Sequence, residues 1–409
     1  MSQIAVNDSI DTQPDDELPS ATTVALVQLA LACGGFGIGT GEFAIMGLLP
    51  KVANTFSVTT PQAGYVISAY ALGVVVGAPV IAVLAAKMAR RTLLLTLMLV
   101  FAIGNISSAM APTFETFTLL RFVSGLPHGA YFGVAALVAA SMVPVHKRAR
   151  AVGRVLLGLT VATLLGTPLT TFFGQSLDWQ VAFLSVGLVG LLTVVLIWFY
   201  VPKDRVSEGA SFLRELGAFR RPQVWLTLAV GAVGYGGMFA MFSYIASTTT
   251  DVAMLPESAV PIMLVLFGVG MNAGNFIGSW LADKSLLGTI GGSLVYNIVV
   301  LTTFALTAAN PYMLGLCVFL VGCGFAAGPA LQTRLMDVAA DAQTLAAASN
   351  HSALNIANAI GAWLGGLVIA WGYGFAATGY VGAALSFLGL FVFAASLRLE
   401  RRSGRVEAV

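Results

Sequence analysis

The sequence predicts an all-α membrane protein of twelve transmembrane helices, arranged as two pseudo-symmetric six-helix bundles. Three observations lead there. The first is composition: 58% of the 409 residues are hydrophobic and 9% charged, with a mean hydropathy of +0.89. A soluble domain runs about 45–50% apolar and about 25% charged. Charges this sparse cannot clothe a soluble surface. Second, the runs between ionisable residues are long enough for the roughly 20 residues that cross ~30 Å of hydrocarbon. Third, basic residues gather on alternate loops. Lipid offers backbone groups no partner, and the alternation of a barrel is absent, so the spans are helical.

The helices follow in order. Predicted α1 covers 22–49, interrupted only by Glu42 and ended by Pro50. The charge-free runs 52–86 and 92–114 hold α2 (59–86) and α3 (92–110). The next span, α4 (115–142), carries Arg121 alone; α5 (150–174) and α6 (179–201) complete the first half. A charged segment, 202–222, separates it from α7 (223–249) and α8 (258–282). The run 285–333 exceeds one crossing and divides at the turn signal Asn310-Pro311, giving α9 (286–308) and α10 (311–335). The run 342–397 divides at Gly372-Tyr373-Gly374 into α11 (343–371) and α12 (374–397).

The charge distribution tests that helix number. With residue 1 in the cytoplasm, inner loops and tail hold 18 of the 20 Lys and Arg, and outer loops hold Lys51 alone. A wrong number would scramble the asymmetry, so both termini are placed inside. The expected organisation is a cytoplasmic tail (1–21), an N-terminal bundle (22–201), a linker (202–222), a C-terminal bundle (223–398) and a second tail (399–409). The first tail carries Asp8, Asp11, Asp15, Asp16 and Glu17 without a basic residue, so it lacks a signal-peptide n-region and is expected to remain flexible. The surroundings are membrane lipid. A net charge of +2 gives no reason to expect nucleic acid. Cys33, Cys317 and Cys323 lie in apolar runs without metal-ligand spacing and read as buried small residues, so no metal or cofactor is expected.

The halves repeat. Gly158, Ala162 and Gly166 of α5 correspond to Ala353, Ala357 and Gly361 of α11, each 195 residues later. Gly77 corresponds to Gly274 and Ala85 to Ala282 at an offset of 197. Parallel six-helix repeats characterise secondary transporters, whose substrate site lies between the halves. The small-residue stripes of α5, which ends at Pro168, and of α11 serve either static packing or surfaces along which the halves tilt.

Charge inside the spans is rare and expensive, about 2.5–3.5 kcal/mol at a helix centre on insertion scales, so it marks function. Glu42 lies eight residues before Pro50, and Arg121 about six residues into α4, at similar depth from the outer face. They are expected to face a common cavity, as proton-coupling groups or as a structural ion pair. His128, two turns beyond Arg121 on the same face, is either a proton relay or a packing residue. His351, Asn355 and Asn358 form a polar stripe on α11, for substrate contact or interhelical hydrogen bonds. Tyr235, Tyr244, Asn272, Asn275 and Gln332 are further candidates for the cavity. Gly37-x-Gly39-x-Gly41 lacks the Lys-Ser/Thr of a phosphate loop, and no HExxH, GxSxG or paired carboxylate suggests an enzyme. Energy must then come from an ion gradient or the substrate's own. With one embedded acid, H⁺ suits better than Na⁺.

Four segments carry a family resemblance across about residues 22–398: Gly39-Thr40-Gly41-Glu42-Phe43 through Gly47-Leu48-Leu49-Pro50, Ala71 through Pro79, Arg121 through Ala130, and Gly166-Thr167-Pro168. In their order and spacing the chain resembles the major facilitator superfamily, in its twelve-span drug:H⁺ antiporter branch, especially arabinose and sugar-efflux permeases and chloramphenicol exporters. The resemblance implies a monomeric exporter of a small drug-like or sugar-like molecule in the bacterial inner membrane, exchanging it for protons by alternating access. It also implies that Arg121 assists proton exchange. A uniporter or symporter on the same fold, or a non-transporting sensor, are the rival readings. Where the family carries an Asp in the loop after α2, this chain has Ala86, followed by Lys87, Arg90 and Arg91. The second-half copy keeps Asp283 and Lys284. Asp283 is therefore expected to reach Arg150 or Arg154 at the end of α5 and hold the inner side shut.

Overall fold

A computed structural model describes residues 19–84, 88–144, 147–203, 219–339 and 343–402, without the side chains of 82–84, 148–150 and 343–348. Every regular element among them is helical. Twelve helices are long and apolar enough to cross a membrane. They are α1 Ala21–Phe56, α2 Thr60–Ile81, α3 Arg90–Ala109, α4 Phe114–Ser141, α5 Ala151–Ser176 and α6 Trp179–Tyr200. The second six are α7 Pro222–Phe242, α8 Glu257–Lys284, α9 Leu286–Thr307, α10 Pro311–Ala339, α11 Ser349–Ala370 and α12 Phe375–Arg402. The outward faces are apolar, as hydrocarbon requires, with side chains such as Phe199, Phe276 and Leu306 exposed.

Three helices depart from the predicted spans. Pro50 does not end α1; the helix runs on to Phe56 and stops where Ser57 turns left-handed and donates its N–H back to Ala53 and Asn54. Inside α5, residues Ala162–Gly166 form a π-helical turn just before Pro168, whose missing N–H leaves the ladder one bond short. The predicted single span 223–249 is discontinuous. Its segments Pro222–Gly234 and Gly236–Phe242 meet at Tyr235, and a further helical turn and a π turn follow Tyr244. Irregular backbone at membrane depth is tolerated because it is buried in protein.

The repeat is a repeat of packing. A Cβ on Gly73 or Gly77 of α2 would fall 2.1 Å from the carbonyl oxygens of Phe122 and Leu126 in α4. At an offset of 197 residues, Gly270 and Gly274 of α8 press almost as close on Phe319 and Cys323 of α10. Gly125 against Tyr70 and Gly322 against Phe267 repeat the contact from the other side. Ala85 lies outside the described residues. Backbones approach this closely because only glycine leaves room.

The small-residue stripes pack within bundles rather than forming surfaces along which the halves tilt. Gly158 packs on the Ala32 carbonyl, Ala162 on Gly39, and Gly166 on Thr40 and Phe36, all in α1 of the same bundle. Likewise Gly361 packs on Gly236 and Ala240 of α7. The stripes glue each bundle internally; contacts between bundles come from neighbouring faces. On α5 it is Thr163 that meets Gly268 of α8, and on α11 the Ala359 carbonyl accepts the Ser68 hydroxyl of α2 at 3.1 Å.

The halves meet on the side away from the chain termini. Phe43 packs edge-on to Phe242, Gly47 lies against Leu264, and Tyr244 reaches Gly64. At the end of this seam Lys51 pairs with Glu257 at 3.7 Å and donates to the Gln175 carbonyl at 2.7 Å. Towards the terminal side, one ring contact joins α4 to α11: Phe132 stacks on His351 with centroids 5.9 Å apart.

Candidate functional site

The buried charges converge where α1, α4 and α11 meet. Glu42 is the only buried acid among the described residues, and Arg121 beside it is fully buried. Fourteen residues separate Glu42 from the end of α1 at Phe56, about 21 Å at 1.5 Å per residue. It therefore lies deeper than a helix ending at Pro50 would place it. Arg121 reaches it from α4 without forming an ion pair. Its Nη2 donates to the Gly41 carbonyl at 2.9 Å and its Nη1 lies 3.5 Å from the Asn105 Oδ1 of α3. The guanidinium is sandwiched, 4.3 Å from the Tyr70 ring centre and 5.2 Å from that of Phe183. Planar stacking and a fork of donors are what arginine supplies and lysine does not.

The other bundle supplies the direct partner of the acid. Asn358 Nδ2 of α11 donates to Glu42 Oε1 at 3.4 Å. One turn below, Asn355 Nδ2 is held by the His351 carbonyl at 3.0 Å. The Oδ1 atoms of both amides are buried without a partner, as are the hydroxyls of Thr40 and Thr167 and the Nε of Arg121. Such orphaned polar atoms are rare in finished cores, where buried polar groups usually find protein or water partners.

A chain of side chains leads from Arg121 towards the terminal side. The Tyr70 hydroxyl lies 3.2 Å from His128 Nδ1, the His128 ring packs on Phe132 at 5.4 Å, and Phe132 stacks on His351. Glu42, Arg121, His128, His351, Asn355 and Asn358 thus form one cluster.

The remaining candidates do not join it. Tyr235 is satisfied inside its own bundle, its hydroxyl 2.7 Å from Ser293 of α9. Tyr244 donates to the Ala362 carbonyl at 2.8 Å and belongs to the seam away from the termini. Asn272 bonds its own helix at Gly268, and Asn275 has an exposed side chain, while its backbone carbonyl accepts from Ser279. Gln332 accepts from Asn350 at 2.9 Å on the terminal side of α10 and α11. For Tyr235, Tyr244, Asn272 and Gln332 a nearby backbone or side chain takes up a polar group that might have faced a cavity.

The gating candidates do not come together among the described residues. Asp283 is exposed and does not reach Arg154, which donates to Gln28 of α1 at 3.0 Å instead. Lys284 sits over the Trp280 ring of its own helix. Arg91 lies over Trp198, tying α3 to α6 within one bundle. Arg90 starts α3; Ala86, Lys87 and the Arg150 side chain lie outside the described residues. Sequence reasoning missed Tyr70, Asn105 and Phe132. Asn105, polar in the middle of the apolar run of α3, carried a readable signal; aromatic residues in a span carry none.

A two-bundle, twelve-span chain with a charged cluster at the junction of its halves defines a membrane transporter rather than an enzyme. The family model described as Major Facilitator Superfamily matches residues 31–346, and the chain belongs to that superfamily. It is 40% identical over 373 residues to the inner membrane transport protein YdhP of Escherichia coli (strain K12), covering 91% of this chain and 96% of that one. It is 35% identical to a chloramphenicol resistance protein of Streptomyces lividans, covering 81% and 86%. Among solved structures it is similar to a bacterial homologue of the human lysosomal transporter Spinster, inward-facing and unoccupied. The TM-score is 0.71 at 18% identity, over 92% of this chain and 99% of that one.

Proposed function

We propose that this protein exports a small drug-like or sugar-like molecule in exchange for protons, by alternating access, as a monomer with both termini in the cytoplasm of a bacterial inner membrane. The observation that carries the reading is the bond between Asn358 and Glu42. It makes the one buried acid among the described residues a contact between the two bundles, so a change in its protonation alters the energy of holding them together. Arg121 sits beside it tied to the Gly41 carbonyl rather than to the carboxylate, which leaves the acid free to gain and lose H⁺.

In this scheme the terminal side is cytoplasmic and the seam away from the termini is the outer gate. Substrate enters from the cytoplasm, and the orphaned Asn355 and Asn358 oxygens and the Thr40 and Thr167 hydroxyls receive its polar groups. Proton and substrate drive exchange through their different affinities for the two arrangements of the bundles. The names of the relatives, an inner membrane transport protein and a chloramphenicol resistance protein, support location and direction.

Proteoliposomes with an imposed pH gradient test it, using a panel of drugs and sugars as cargo. Glu42→Gln should lose uphill export and keep downhill exchange. Full pH-driven transport by that variant would refute the coupling role, and wild-type flux indifferent to the gradient would indicate a uniporter.

A further inference from the structure

A second site lies far from Glu42, at the terminal end of the first bundle. The start of α1, the end of α4 and the start of α5 line an open cleft of about 370 Å³. That is within the range of about 300–1,000 Å³ usual for small-molecule sites. Its walls are apolar, with Val24 and Met142 among them, and its polar groups are Gln28, Lys147 and Arg154. No described acid lines it.

Each polar group presents a donor. The Lys147 ammonium has no partner among the described residues. Arg154 spends Nη1 on the Gln28 Oε1, leaving the rest of its fork. Gln28 is 4% exposed, and its amide nitrogen has no hydrogen bond among the described residues. Two cations and the Gln28 amide therefore line one largely apolar cleft. The complement is an anionic head on an apolar body.

We infer that this cleft binds a small amphipathic anion, a phosphate or carboxylate carrying an apolar group. A solute and the headgroup of an anionic lipid share that chemistry. The site is distinct from the one at Glu42: Gln28 and Glu42 are fourteen residues apart on α1, about 21 Å.

The test is equilibrium dialysis of radiolabelled phenyl phosphate against the full-length protein in phosphatidylcholine nanodiscs. It needs neither a gradient nor transport, so its failure leaves the coupling role of Glu42 standing. Saturable binding is expected, weakened about tenfold or more by Lys147→Gln with Arg154→Gln, since each removes a charge-assisted contact. Lys147→Gln alone, at an exposed position, keeps the fold and should still weaken binding several-fold. Lys203→Gln, outside the cleft, should change nothing. Phosphatidylglycerol in the nanodiscs lowers apparent affinity if a lipid headgroup is the natural occupant and leaves it unchanged if a solute is. If the chain's own acidic residues compete, Asp15→Asn, Asp16→Asn and Glu17→Gln together will raise affinity. Absence of binding in both wild type and that neutralised variant, or binding untouched by the loss of Lys147 and Arg154, would overturn the inference.

Discussion

Replacing Gly73 by alanine should cost the first bundle about 1–3 kcal/mol, the usual range for overpacking a close-packed contact. The new Cβ would fall 2.1 Å from the Phe122 carbonyl oxygen. Carbon and carbonyl oxygen settle at about 3.3–3.6 Å, so the contact must open by about 1.2–1.5 Å. Both partners are helix backbone and cannot swing aside. Gly133, on α4 as well, has nothing within 4 Å of its would-be Cβ. Alanine there should gain about 1 kcal/mol of helix propensity. The two variants should thus differ by about 2–4 kcal/mol. Gly270→Ala, the counterpart of Gly73→Ala in the second half, should behave like the latter, because its Cβ would fall 2.1 Å from the Phe319 carbonyl. Reversible unfolding of the full-length protein in mixed detergent micelles measures all three. Equal stabilities for Gly73→Ala and Gly133→Ala would refute the close helix contact, and an indifferent Gly270→Ala would refute its repetition.

Asn358→Ala removes the donor to Glu42 from the opposite bundle and should slow transport about tenfold; initial rates in vesicles decide, and an unchanged rate would refute a role for the bond. Lys51→Gln breaks a half-exposed ion pair across the seam, so it should shift the balance between conformations by no more than about 1 kcal/mol, in a salt-dependent way, as read from spin-label distances. Phe132→Ala removes the stack on His351 and should raise the reactivity of a cysteine placed at Asn355; unchanged labelling would show that the ring pair does not shield that position.

Architecture is legible because its causes are local to the sequence. Hydrocarbon thickness fixes span length, and the cost of charge in lipid leaves Glu42 and Arg121 conspicuous. Asn310-Pro311 and the Gly372–Gly374 segment mark turns that a long apolar run would otherwise hide. On α11 the i, i+4, i+7 spacing alone singles out His351, Asn355 and Asn358, because three polar residues on one helical face must turn away from lipid. What is not legible is which neighbour consumes a polar group. Tyr235 and Asn275 look alike as polar residues in spans, but Ser293 satisfies one and the other is left exposed. The small-residue stripes likewise show that a helix is closely approached without showing by which partner. For Gly158 and Gly361 the partner is a helix of the same bundle. Pro50 reads as a stop, yet the turn it disrupts lies within a helix long enough to continue.

Infrared difference spectroscopy of the reconstituted protein through a pH step bears most directly on Glu42 as the proton-exchanging group, because it needs no knowledge of the cargo. Alkalisation of the wild type should remove a carboxylic-acid carbonyl band, and Glu42→Gln should lack that difference band together with any pH-driven change in spin-label distance between the bundles. The same band and the same movement in the Gln variant would contradict the assignment.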